Sequence, residues 1–160
     1  MVQTAHIATP SDHEIMMTHE FNAPRGLVFR AYTDPAHIPR WWGPREFTTI
    51  VDVMDVRIGG RWRYVLRDSE GNEFACHGEY LEIDPPHRLV STFESEGMPG
   101  HIVTETMTLE ERDGKTLLTT ISQFTSIEDR DWMMTGVEAD APGMMDRLTE
   151  VIAELQKCQT

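Results

Sequence analysis

From Thr48 to Phe124 the chain is an unbroken run of short segments with a two-residue period, parted by tight turns. It then changes period once, into a single amphipathic helix. That one change constrains the fold more than any other feature. A two-residue period gives a strand one apolar face, and a 3.6-residue period gives a helix one apolar stripe. Consecutive strands with no helices between them have no crossovers, so they pair antiparallel through hairpins, and the final helix must cover one face of the resulting sheet.

The strands are read from their inward positions. Ile50, Val51, Val53 and Met54 mark Thr48 to Asp55, and Gly59-Gly60 turns the chain. Trp62, Tyr64 and Leu66 then alternate with Arg61, Arg63 and Arg67, giving one aromatic face and one basic face. "DSEGN" (68–72) and "RDGK" (112–115) are hairpin signals, and Asp84-Pro85-Pro86 ends a strand begun at Phe74. Leu89 to Phe93, His101 to Leu109 and Thr116 to Phe124 follow. Upstream, Ile15, Met17, His19 and Phe21 alternate along a further strand, which makes about seven.

Between that strand and the next, Asn22-Ala23-Pro24 opens a short helix carrying Leu27, Val28, Ala31 and Tyr32. A second short helix begins at Asp34-Pro35, runs into Trp41-Trp42 and stops at Gly43-Pro44. The last helix carries Val137, Ala141, Met144, Met145, Leu148, Val151, Ile152 and Leu155 on one stripe. The sum is an α+β domain over 13–157 behind a flexible tail, 1–12. A sheet of this length twists and curls, and one long helix in the curl leaves room between the two.

The partner classes are narrowed by charge. Twenty-seven acidic residues against 14 Lys and Arg give a net charge of −13, which repels phosphate backbones and anionic lipid, so neither nucleic acid nor membrane is expected. No apolar run reaches the roughly 20 residues of a membrane span, and the N-terminus has no basic region followed by an apolar one. A cytoplasmic monomer is the expectation. Cys76 reads as a small buried hydrophobe and Cys158 as an exposed tail thiol, rather than as a disulfide.

Five ordered blocks, "FNAPRGLVFRAYTDPAHIPRWWGP", "VDVMDVRIGGRWRYVLRDSEG", "GEYLEIDPPHRLV", "GKTLLTT" and "MMDRLTEVIAEL", resemble the family of activator of heat-shock chaperone ATPase homologue-like domains. That family belongs to the START, birch-pollen-allergen-like superfamily, and the likeness runs from about His13 to about Leu155. The resemblance implies a helix-grip fold, a curved antiparallel sheet wrapped around a long C-terminal helix with an apolar cavity between. Carriers, cyclases and chaperone co-factors share that scaffold, so the fold by itself does not choose among them. Where family members often carry a bulky aromatic, this chain has Ala141-Pro142-Gly143. The helix therefore starts late or bends there, and either widens the mouth of the cavity.

No nucleophile elbow, P-loop or zinc-binding helix motif occurs. The seven histidines are scattered, so neither a metal nor another cofactor is expected. Two candidates for acid/base chemistry remain, Glu105 and His77. Glu105 stands among Val103, Met107 and Leu109 on an apolar face, where burial would raise its pKa. A bulge or an edge position would return it to solvent, the ordinary place for a lone carboxylate. His77 sits beside Cys76, but adjacent strand residues point to opposite faces, so the two are no nucleophile pair. His77 remains either a cavity-lining donor or a solvent-facing side chain.

The leading expectation is an apolar small molecule held between sheet and helix, lined by Trp42, Trp62, Tyr64, Phe93, Glu105, Met107, Met144 and Leu148. An enzyme of cyclase or hydrolase type would need two polar groups converging there. Chaperone binding, the third reading, is expected to fail, because the family's eponymous members carry an additional domain. Of the adjacent tryptophans Trp41 and Trp42, one is expected to plug the core while the other borders the cavity.

Overall fold

The structure, a computed structural model, describes residues 6–158. Eight strands form one antiparallel sheet: β1 (His6–Ala8), β2 (Glu14–Phe21), β3 (Thr48–Met54), β4 (Arg61–Arg67), β5 (Glu73–Asp84), β6 (Arg88–Ser95), β7 (Val103–Arg112) and β8 (Lys115–Gln123). Three helices complete it: α1 (Arg25–Thr33), α2 (Ile38–Trp41) and α3 (Ile127–Lys157). The order across the sheet is β1-β2-β8-β7-β6-β5-β4-β3, so from β3 to β8 every neighbour in sequence is a neighbour in space. The chain leaves that order once, between β2 and β3, and α1 and α2 occupy the gap.

The turns behave as their residues require. Asp68 Oδ1 accepts from the backbone N–H groups of Glu70 and Asn72, both at 2.9 Å, and closes the "DSEGN" hairpin. At the other hairpin, Asp113 (φ 55°) and Gly114 (φ 77°) both enter the left-handed region, as a two-residue primed turn demands.

Three expectations need correction. Among the described residues the count is eight strands, because His6–Ala8 pairs with Met16–Thr18 inside the stretch read as a tail. Three residues are too few to display a period, so only the pairing reveals this strand. Residues 1–5 of that stretch lie outside the described residues. Next, α3 begins ten residues before the apolar stripe at Val137. Ser126 caps it by accepting from the Asp129 N–H at 3.1 Å, with Glu128 and Asp129 in the first turn favouring the positive end of the helix dipole. Its first turns hide their period, since Trp132 on their outer side is 60% exposed. Third, of the two readings of Ala141-Pro142-Gly143 the late start falls, because Pro142 stands inside α3. Having no N–H, it leaves the Glu138 carbonyl without the usual helical donor.

Pro142 also divides what α3 covers. Beyond it, Met145, Leu148, Val151, Ile152 and Leu155 join a large cluster with Phe21, Val28, Trp41, Trp62, Tyr64 and Leu118. Before it, Met133, Met134 and Val137 pack on a separate small cluster of Ile15, Val103 and Phe124. Phe93 borders both.

Candidate functional site

The alternation along each strand decides what faces the helices. Trp62 and Tyr64 of β4, Cys76, Gly78 and Tyr80 of β5, and Met107 and Leu109 of β7 are buried inward. The matching outward residues carry most of the charge. Cross-strand register then sets inward neighbours side by side. Ile15, Ser122, Glu105, Ser91 and Tyr80 form one row across β2, β8, β7, β6 and β5.

The aromatic residues expected around a ligand do come together. Trp42 lies 5.0 Å from Tyr64 and 6.3 Å from Trp62, between ring centroids, in edge-to-face contact. Phe93 stands 6.1 Å from Trp62 and 6.5 Å from Trp42. Gly78 makes this group feasible. Any Cβ there would sit 1.8 Å from the Thr92 carbonyl oxygen and 2.5 Å from Trp62 Nε1, so Trp62 lies flat against bare backbone.

The two adjacent tryptophans divide their roles. Trp41, 2% exposed, packs against Tyr32 with ring centroids 4.7 Å apart and planes tilted by 55°, and donates its indole N–H to the Ala31 carbonyl at 3.1 Å. It fastens α2 to α1. Trp42 leaves the helix on extended backbone and turns into the aromatic group, where it keeps partial exposure. The loop after it is held from above, since Arg147 of α3 donates to the Gly43 carbonyl at 2.6 Å. Arg40 of α2 pairs with Glu154 of α3.

Glu105 faces inward with Val103, Met107 and Leu109, against the ordinary expectation for a lone carboxylate. Ser122 Oγ donates to its Oε2 at 2.7 Å, and among the described residues no other group hydrogen-bonds it. Burial pushes the carboxyl up to about 7, and the Ser122 hydrogen bond moderates the rise. The side chain is half-buried, so it is enclosed by protein yet keeps some contact with solvent. Tyr32 lies within its field: burial first, and then the Glu105 charge, make the phenol harder to ionise.

His77 is out of reach of that face. Cys76 and Gly78 point inward on either side of it, so its ring points outward, where Nδ1 meets Glu96 at 2.9 Å and Nε2 meets Glu94 at 3.3 Å. Of the two readings of His77, strand alternation leaves the outward-facing one, and its candidacy as a cavity acid/base falls. Arg63 shares the outer network, donating to Glu96 (2.8 Å) and Asp52 (3.0 Å), and together with His77 it pulls Glu96 down to about 2. The remaining expected residues divide by exposure. Met107, Tyr64, Trp62 and Leu148 are closed into the core, whereas Trp42, Phe93, Glu105 and Met144 keep partial exposure on the concave side. Sequence reasoning missed Ser91, Ser122, Gly78 and Tyr32. Strand parity alone would have placed the two serines, but Tyr32 arrives from α1 and only the packing brings it in.

A curved antiparallel sheet gripping one long helix, with aromatic and apolar side chains gathered on its concave face, is the helix-grip arrangement of START-like domains. The chain belongs to the family described as activator of Hsp90 ATPase homolog 1-like protein, whose model matches residues 22–153. No curated protein matches the sequence. Among solved structures, a protein of Rhodobacter sphaeroides superposes with a TM-score of 0.88 at 23% identity, over 95% of this chain and 99% of that one. Protein NE0264 of Nitrosomonas europaea gives 0.82 at 22% identity, over 92% and 98%. CalU16 of Micromonospora echinospora gives 0.65 at 26% identity, over 97% and 90%. The likeness below 25% identity establishes the fold alone.

Proposed function

We propose that this chain binds an apolar small molecule between the concave face of the sheet and the first half of α3. One observation carries the reading. Phe93, Glu105, Ser122, Trp42 and Met144 point into the molecule, beneath or beside α3, yet keep partial exposure where a close-packed core would leave none. Among them Phe93 packs against both apolar clusters, which meet there without merging. Pro142, which weakens α3 at that seam, suits a helix that must give way to admit a guest.

The enzymatic reading is weaker. It needs a second acid/base group near Glu105, and His77 faces the other way. His19 is inward, but it is two strands and four residues away, about 16 Å by strand geometry. Burial lowers its pKa, and its Nε2 lies 3.4 Å from Thr149 Oγ1. Activation of a chaperone ATPase rests on the family description alone. Among the described residues no helix is long and apolar enough to cross a membrane.

The test is titration of isotopically labelled protein with neutral apolar probes while amide shifts are followed. Shifts confined to Trp42, Phe93, Glu105 and the 133–144 stretch of α3 support the reading. A panel of such probes that moves no resonance refutes it.

A further inference from the structure

Granting that a guest occupies this face, its chemistry is constrained by what the face contains. The inward positions of β2 and of β4 to β8 include no lysine or arginine. Arg147 of α3, half-buried, is committed to the carbonyls of Gly43 and Gly143. Among the described sheet positions the single inward carboxylate near the seam is Glu105, flanked in its row by the hydroxyl side chains of Ser122 and Ser91. Ser122 takes Oε2 and, among the described residues, nothing takes Oε1. Phe93 is the diagonal neighbour of Glu105 across β6 and β7, roughly 7–8 Å away, and it leads into Trp42, Trp62 and Tyr64.

With Glu105 ionised, this combination repels anions. A fatty acid or a phosphate monoester would bring its charge against an uncompensated carboxylate and the π-electrons of the two partly exposed rings, Phe93 and Trp42. A cation meets the reverse: a free carboxylate oxygen, ring faces that attract it, and a chain of net charge −13 that draws it in. We propose that the ligand class is lipophilic amines, an apolar or aromatic body bearing a protonated nitrogen that donates to Glu105 Oε1 while the body lies toward Phe93 and Trp42. The proposal rests on the binding reading above and adds the charge and donor character of the guest.

The experiment uses three probes that share one apolar body: naphthylethylamine, naphthylethanol and naphthylacetate. Affinities for the full chain at neutral pH are read by calorimetry and by quenching of tryptophan fluorescence. The amine is expected to bind at least about tenfold tighter than the alcohol, as a charge-assisted hydrogen bond in an enclosed site should give, with the carboxylate weakest. In Glu105→Gln the advantage of the amine over the alcohol should shrink to within about twofold. Equal binding of all three, or a preference for the carboxylate, overturns the amine proposal and leaves the binding reading standing. Loss of binding by all three overturns both. Should Glu105→Gln fail to fold, the ranking of the three probes on the unaltered chain still decides.

Discussion

Replacing Glu105 by Gln should change how stability depends on pH, in a direction fixed by where the side chain sits. The glutamine amide keeps an oxygen for the Ser122 hydroxyl, nearly the same volume and no charge. In the native chain the carboxyl moves from 4.5 unfolded to about 7 folded. It therefore holds its proton more tightly in the folded state. Its contribution to stability is complete below about pH 4.5, declines as pH rises through about 7, and stays constant beyond. At 1.36 kcal/mol for each tenfold change in proton affinity, the ceiling is about 3 kcal/mol. Because the side chain keeps some solvent contact, a loss of about 2 kcal/mol between pH 5 and pH 8 is expected. Urea unfolding of both chains at the two pH values measures it, and the difference of differences removes every other titrating group. The native chain should lose about 2 kcal/mol more than the variant, and the variant should be the more stable at pH 8. Parallel behaviour, within about 0.5 kcal/mol, would mean that Glu105 titrates as a surface carboxyl, and the argument from its burial would fall.

Three other substitutions test the packing around the site. Gly78→Ala places a methyl group 1.8 Å from the Thr92 carbonyl oxygen, so a loss of at least about 2 kcal/mol in chemical denaturation and a changed near-ultraviolet circular dichroism from Trp62 are expected. Trp41→Ala should cost about 3–5 kcal/mol because it empties a fully packed position, while Trp42→Ala should cost clearly less yet remove most of the affinity for an aromatic probe. Pro142→Ala restores a helical donor to the Glu138 carbonyl and should raise stability by about 1 kcal/mol or more, with slower association of a probe measured by stopped flow.

Much of the scaffold was legible in advance. Alternation at Trp62, Tyr64 and Leu66, the turn chemistry at Asp68 and Asp113-Gly114, and the stripe from Met144 to Leu155 each state locally what the element must be. The strand at His6–Ala8 was not legible, since its only determinant is an edge that β2 offers. The early start of α3 was hidden because its first turns are partly solvated and so lack a clean apolar period. For the candidate site, the aromatic members Trp42, Trp62, Tyr64 and Phe93 were found from parity and the stop signal at Gly43-Pro44. Glu105 and His77 could not be ranked, because parity gives two faces but does not say which one the helix covers around a lone charge.

The sequence by itself determined the elements, their antiparallel order from β3 to β8, and the existence of one helix-covered face, because period and turn chemistry act between residues near in the chain. Only the tertiary structure decided that Glu105 lies inside with Ser122 and with Tyr32 within its field, that His77 lies outside with Glu94 and Glu96, and that Trp41 and Trp42 separate into plug and lining. Those outcomes depend on which strands become neighbours and on which face α3 closes. Such contacts join residues as far apart as Tyr32 and Glu105, and no local pattern records them.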